Sequence, residues 1–259
     1  MKRRTIIDLF EEAVDTYANN TFLMEKEGAV WQHTTFAQTR ETVYQWGAGL
    51  QALGVQKGDH IALLSEGRNA WIIGELAIFY AGAINIPLSI KLEESNDLLF
   101  RLIHSNAKYV MVSAGQLPKI RKIKNQLPHI DRYIILTELP EYQEKEISID
   151  RIGQMGTERL TQDKESVLQV GQQITNDYPA TITYTSGTTA DPKGVILTHR
   201  NYTANVEQSL TLMDIPSTYR TLIILPLDHC FAHVVGFYIF MTRGASVATV
   251  QTGKTPMET

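Results

Sequence analysis

The chain reads as an α/β protein built on mostly parallel sheets with crossover helices. Short apolar runs alternate with helix-spaced stretches along most of its 259 residues, the order expected when parallel strands are joined by helices. The run at 61–64 is apolar throughout, as in a buried strand. At 43% hydrophobic and 8% aromatic, the chain has enough apolar material for one large core or two smaller ones.

The elements follow in order. Thr5 precedes a helical stripe through Ile6, Ile7, Phe10, Ala13, Val14 and Tyr17. Two short strand-like runs, 22–24 and 30–32, lead to Thr35 and Gln38, a capping-box pair. That pair opens a helix through Val43, Trp46, Leu50 and Leu53, which Gly54 stops. The strand at 61–64 is followed by an apolar helix at 70–81 ended by Gly82, then a strand at 83–86 closed by Pro87. A helix at 97–104, a strand at 109–112, a helix at 117–126 and a strand at 133–136 complete a first α/β subregion, 1–137. From 138 to 178 the texture turns charged and polar, with Glu141, Glu144, Lys145 and Glu146 close together, and is taken as a surface excursion. A third subregion, 179–259, resumes with strands at 180–184 and 195–197 flanking a polar loop. A helix at 201–213, a strand at 221–225, a helix at 232–243 and a strand at 246–250 follow.

Composition excludes several function classes. A net charge of −4 and the lack of a basic stripe with interleaved aromatics leave no footprint for nucleic acid. The helix-spaced Lys119, Arg121, Lys122 and Lys124 read as solvated helix charge. One cysteine, Cys230, rules out an internal disulfide framework and a cysteine-based zinc site, and it reads as a small apolar filler. The opening residues are no signal peptide, because Asp8, Glu11 and Glu12 interrupt the apolar run. The longest charge-free apolar stretch, 229–242, is too short to span a bilayer. A cytoplasmic location is expected, with peripheral membrane contact left open; the oligomeric state is not legible.

The chemistry concentrates in 185–194, T-S-G-T-T-A-D-P-K-G. Small side chains let backbone N–H groups approach an anion closely, hydroxyls add donors, and Lys193 adds a mobile positive charge, so the segment suits a polyphosphate. It is not a Walker A loop, which needs glycine just before its lysine and a hydroxyl just after it; here Pro192 precedes Lys193 and Gly194 follows.

Read from Tyr184 to Asn201 as YTSGTTADPKGVILTHRN, this stretch resembles the signature loop of the adenylate-forming superfamily of acyl-CoA synthetases, luciferases and peptide-synthetase adenylation domains. Ala190 stands where that family usually has glycine. Residues 31–53, SEGRNAWIIGELAIFYAGAINIPL at 65–88 and 92–113 are similar in order and spacing to the opening part of acyl-CoA synthetases. Arg68, Asn69 and Trp71 look most like the long-chain fatty-acid branch. LPLDHCFAHVVG at 225–236 is similar to the family's next motif, which leads into the helix bordering the acyl pocket.

The resemblance implies the large N-terminal domain of that superfamily and a two-step reaction. A carboxylate attacks the α-phosphate of Mg-ATP, giving acyl-adenylate and pyrophosphate; the thiol of coenzyme A then displaces AMP. It assigns Thr185, Ser186, Gly187, Thr188, Thr189, Lys193 and Gly194 to the β- and γ-phosphates, with the Thr185 hydroxyl also near Mg2+. It places His229 by the acyl carboxylate and Phe231, Val234, Val235 and Phe237 along a fatty chain. His199 and His233 stay ambiguous. The family's adenine motif, ribose aspartate, hinge and C-terminal domain with its lysine would lie beyond Thr259, so the chain alone is expected neither to activate fatty acids nor to bind ATP tightly. Two other readings stay open: a ligase for another acid or a carrier-protein-loading domain, and a non-catalytic nucleotide-binding scaffold.

Overall fold

The computed structural model describes residues 4–185 and 192–249. Strands β3 (His60–Leu64), β4 (Ile84–Pro87), β5 (Tyr109–Val112), β6 (Arg132–Ile135), β7 (Glu146–Ser148), β8 (Pro179–Thr185) and β9 (Lys193–Thr198) form a seven-stranded sheet in the order β7-β6-β5-β3-β4-β8-β9. All its neighbours are parallel except β8 and β9, an antiparallel pair. A second sheet of four strands joins the two ends of the chain. Its order is β10-β11-β1-β2, from β1 (Thr21–Glu27), β2 (Val30–Thr35), β10 (Arg220–Ile223) and β11 (Ser246–Thr249). The mostly parallel α/β class is what the chain adopts.

The apolar runs are continuous because the larger sheet is covered on both faces. Ile61, Leu63, Tyr109, Met111 and Ile134 enter one core, while Ala62, Leu64, Val110, Val112 and Ile135 enter the other, the period-two split of a strand. Helices α4 (Ser95–His104) and α5 (Leu117–Ile123) cover the second face. On the first face lies α3 (Asn69–Tyr80), buried at every residue from Trp71 to Tyr80. A helix apolar on all sides fits only where it is enclosed; residues of both sheets and of α1 (Ile6–Tyr17) and α2 (Phe36–Leu53) share its core. The expected capping box at Thr35 and Gln38 forms, and Gly54 ends α2 at φ +110°.

Two stretches depart from the sequence reading. The 138–178 segment is no mere surface excursion: it supplies β7, α6 (Ile149–Gln162) and α7 (Ser166–Gln172). Arg121 donates from Nε and Nη2 to the two carboxylate oxygens of Glu146 at 2.8 and 2.7 Å, so a charge read as solvated ties β7 to α5. That bond holds the Glu146 carboxyl below its ordinary range, against the opposing effect of burial. α6 closes onto α2 through glycines: a Cβ on Gly156 would lie 1.7 Å from the Gln45 carbonyl oxygen. The expected single helix at 232–243 is instead a π-helix over Ala232–Tyr238, followed by α9 (Ile239–Thr242).

Candidate functional site

β8 reaches the carboxyl edge of the larger sheet anchored on both faces. Thr181 Oγ1 lies 2.8 Å from the Tyr202 hydroxyl of α8 (His199–Leu212). The Tyr184 hydroxyl lies 2.8 Å from His104 Nδ1, and the Arg101 guanidinium sits 5.7 Å from the Tyr184 ring centre. Tyr184 pairs with Gly194 and Thr185 with Lys193, so these two pairs form a neck that brings the two ends of the polar motif together. Gly194 is required there, since a Cβ would meet Ile182 Cγ2 at 2.9 Å. Thr185 and Lys193 are both exposed. Ser186, Gly187, Thr188, Thr189 and Ala190 lie outside the described residues.

Beside the neck opens a cleft of about 550 Å³, within the size range of small-molecule sites. Leu88 follows the end of β4, Thr183 to Thr185 come from the end of β8, and Asp228 and His229 from the segment after β10. Ligands in open α/β sheets bind in such crevices, outside the carboxyl ends of strands. Arg101, mostly buried, and Lys91 bring positive charge to the same walls.

His229 is thus brought to the same cleft as Thr185 and the neck. The Phe231 N–H donates to its Nδ1 at 3.2 Å, and the His229 N–H donates to the Pro226 carbonyl at 3.3 Å, a turn that fixes the ring. A smaller groove of about 230 Å³ shares Leu197 and Cys230 with the cleft and runs between α8 and the π-helix, past Phe231, Val234 and Val235. Phe237 is not on it. That ring is fully buried against Tyr238, ring centres 4.2 Å apart. The π-helix explains the difference: in an α-helix residues three apart share a face, whereas here Ala232 and Phe237, then His233 and Tyr238, turn inward five apart.

The two ambiguous histidines are both interior. His199 accepts the Ile6 N–H at Nδ1, 3.3 Å away, and burial lowers its pKa to about 3. His233 sits in a buried cluster that the sequence reading did not single out. Its Nδ1 is 3.2 Å from Glu75 Oε1 and its Nε2 2.7 Å from the Leu227 carbonyl oxygen. Glu75 also accepts from Asn85 Nδ2 and from the Tyr238 hydroxyl, each at 2.9 Å. Burial alone would lower the His233 pKa, but the Glu75 carboxylate raises it overall. The available signal was a lone carboxylate in the otherwise apolar run at 70–81, since a buried charge must be partnered.

Among the described residues no three His, Cys, Asp or Glu side chains are grouped to hold a metal ion. Magnesium is commonly held by one or two carboxylates together with substrate phosphates. The neck itself offers an exposed hydroxyl and an exposed ammonium group, on Thr185 and Lys193. No helix among the described residues is long and apolar enough to cross a membrane.

Comparison with known proteins gives the family and the fold. The chain is 26% identical over 261 residues to the long-chain-fatty-acid–CoA ligase ACSBG2 of Xenopus laevis, covering 95% of itself and 34% of that protein. It is 24% identical over 250 residues to the long-chain-fatty-acid–[acyl-carrier-protein] ligase AEE15 of Arabidopsis thaliana, covering 92% of itself and 34% of that protein. The chain thus spans about a third of the length of these two relatives. In fold it is similar to the anthranilate CoA ligase AuaEII, solved with anthranoyl-AMP, at a TM-score of 0.80 and 22% identity over 97% of this chain and 46% of that one. The family described as AMP-binding enzyme matches residues 10–259, nearly the whole length, and the chain belongs to it.

Proposed function

We propose that this chain supplies the triphosphate grip and the acyl cleft of an ATP-dependent acid–thiol ligase that activates a long-chain fatty acid as its adenylate and passes it to coenzyme A. The observation that carries the reading is the cleft at the carboxyl ends of β4 and β8 that Thr185 shares with His229, with Lys193 paired to Thr185 beside it though not on its lining.

In this reading the Lys193 ammonium, the Thr185 hydroxyl and the loop residues Ser186, Gly187, Thr188 and Thr189 surround the β- and γ-phosphates. Each hydrogen bond to such a charged group contributes on the order of 1.5–3 kcal/mol. Their task is to neutralise charge and to align the carboxylate with the leaving pyrophosphate. Arg101 and Lys91 keep the cleft electropositive and favour a carboxylate at its wall. The alkyl chain follows the apolar groove past Val234 and Val235, while Phe237 supports that wall from behind. Likeness to ACSBG2 and AEE15, both long-chain-fatty-acid ligases by name, supports the acid. It favours neither coenzyme A nor a carrier protein as acceptor.

Calorimetric titration with a non-hydrolysable palmitoyl sulfamoyl adenosine, against its benzoyl counterpart, tests the proposal. Saturable binding of the palmitoyl compound, tighter by tenfold or more, is expected. Preference for the benzoyl compound would move the substrate class to aryl acids, and binding of neither would remove the reading of the cleft.

A further inference from the structure

We propose that Glu75 and His233 are positioning residues, a buried ion pair that holds the 226–231 segment, and with it His229, at the mouth of the cleft. Both side chains are fully buried. The His233 Nε2 lies 2.7 Å from the Leu227 carbonyl oxygen, within hydrogen-bond geometry, while Nδ1 lies 3.2 Å from Glu75 Oε1 at ion-pair distance but without a hydrogen bond. With Nε2–H committed to Leu227, a neutral ring would set the bare Nδ1 lone pair against the Glu75 carboxylate in a buried site; a proton on Nδ1 turns that contact into an ion pair, with Glu75 the countercharge. The pair is braced on each side. Tyr238 and Asn85 donate to Glu75; Tyr202 of α8 stacks on the His233 ring at 5.7 Å, and Trp71 of α3 meets it edge-on at 5.1 Å. Asp228, the remaining charged neighbour, also favours the protonated ring.

The consequence falls on the turn that presents His229. Leu227 stands two residues before His229, and its carbonyl bond to His233 ties that turn to α3, the most enclosed helix of the fold. A charge-assisted bond there is roughly twice as strong as a neutral one. The pair therefore sets where His229 stands without touching the cleft. This deepens the function proposed above and rests on it only for the effect on ligand binding.

The test is nitrogen-15 NMR of the imidazole rings, together with amide hydrogen exchange, on this chain, on Glu75→Gln and on His233→Leu. In the unsubstituted protein both His233 nitrogens should carry protons at pH 8. In both variants exchange at Asp228, His229 and Ala232 should rise tenfold or more, while β5 and β6 keep their protection. A neutral His233 in the unsubstituted protein, exchange at 228–232 unchanged, or an equal rise throughout the sheet would overturn the proposal. If His233→Leu fails to fold, the near-isosteric Glu75→Gln and the unsubstituted spectrum decide. Affinity for palmitoyl sulfamoyl adenosine should fall as the local exchange rises. No binding by the unsubstituted protein would count against the function alone, leaving ring protonation and exchange to judge the pair.

Discussion

Acid should weaken this fold through His199 by an amount the structure allows to be worked out. Its Nδ1 accepts the N–H of Ile6, the first residue of α1, and its ring meets Phe79 of α3 edge-on at 5.0 Å. Protonation would set an N–H against the Ile6 N–H in a buried site, and burial lowers the folded pKa to about 3. In the unfolded chain an imidazole titrates near ~6.5. Between these values the unfolded state binds more protons, and stability falls as pH falls. From pH 8 to pH 5 the loss attributable to this ring is about 2 kcal/mol by linkage. His233 acts with the opposite sign: its raised pKa stabilises at low pH and is lost as pH rises through the folded value. His199→Asn isolates the first effect, because the amide oxygen can still accept from Ile6 and does not titrate. Urea unfolding followed by circular dichroism at pH 8 and pH 5 should show the unsubstituted chain losing about 2 kcal/mol more than the variant. Equal losses in both would refute the reasoning.

Further outcomes follow from packing and from the site. Gly156→Ala places a Cβ 1.7 Å from the Gln45 carbonyl oxygen, so α6 must shift off α2 at a cost of about 1–3 kcal/mol or more; an unchanged melting temperature would contradict that contact. Phe237→Ala should cost roughly 3–5 kcal/mol of stability as a core deletion. Val234→Ala should leave the fold nearly intact and weaken binding of a fluorescent long-chain fatty acid; a reversal of the two effects would put Phe237, not Val234, on the groove. Lys193→Ala should lower triphosphate affinity about tenfold, one charge-assisted bond's worth, without changing the melting temperature, because Lys193 is exposed at the neck.

Much of this was legible in the sequence because local rules and tertiary demands agree. The Thr35–Gln38 capping box, the Gly54 stop and the apolar strands at 61–64 and 109–112 each rest on a few neighbouring residues, and each forms. The polar texture of 138–178 misled for an electrostatic reason: Glu146 is charged yet buried, because Arg121 from a distant helix neutralises it. No local pattern carries that pairing. The helix at 232–243 misled in its geometry, since a π-repeat turns Phe237 inward where an α-repeat would set it beside Val234. The division of strands into two sheets, with β1 and β2 joining β10 and β11 across the whole chain, is a long-range choice. At the site, Thr185 and His229 line one cleft, whereas Glu75 needed the fold to reveal its partners.

The central claim is that the Thr185–Lys193 neck grips the triphosphate tail of a nucleotide. Titration of this chain with inorganic magnesium tripolyphosphate, followed by the amide signals of Thr185 and Gly194, tests it without adenine or ribose contacts. Saturable shifts at those two residues, lost in Lys193→Ala, are the predicted result. Signals that stay still there, or that move only elsewhere on the protein, would contradict it.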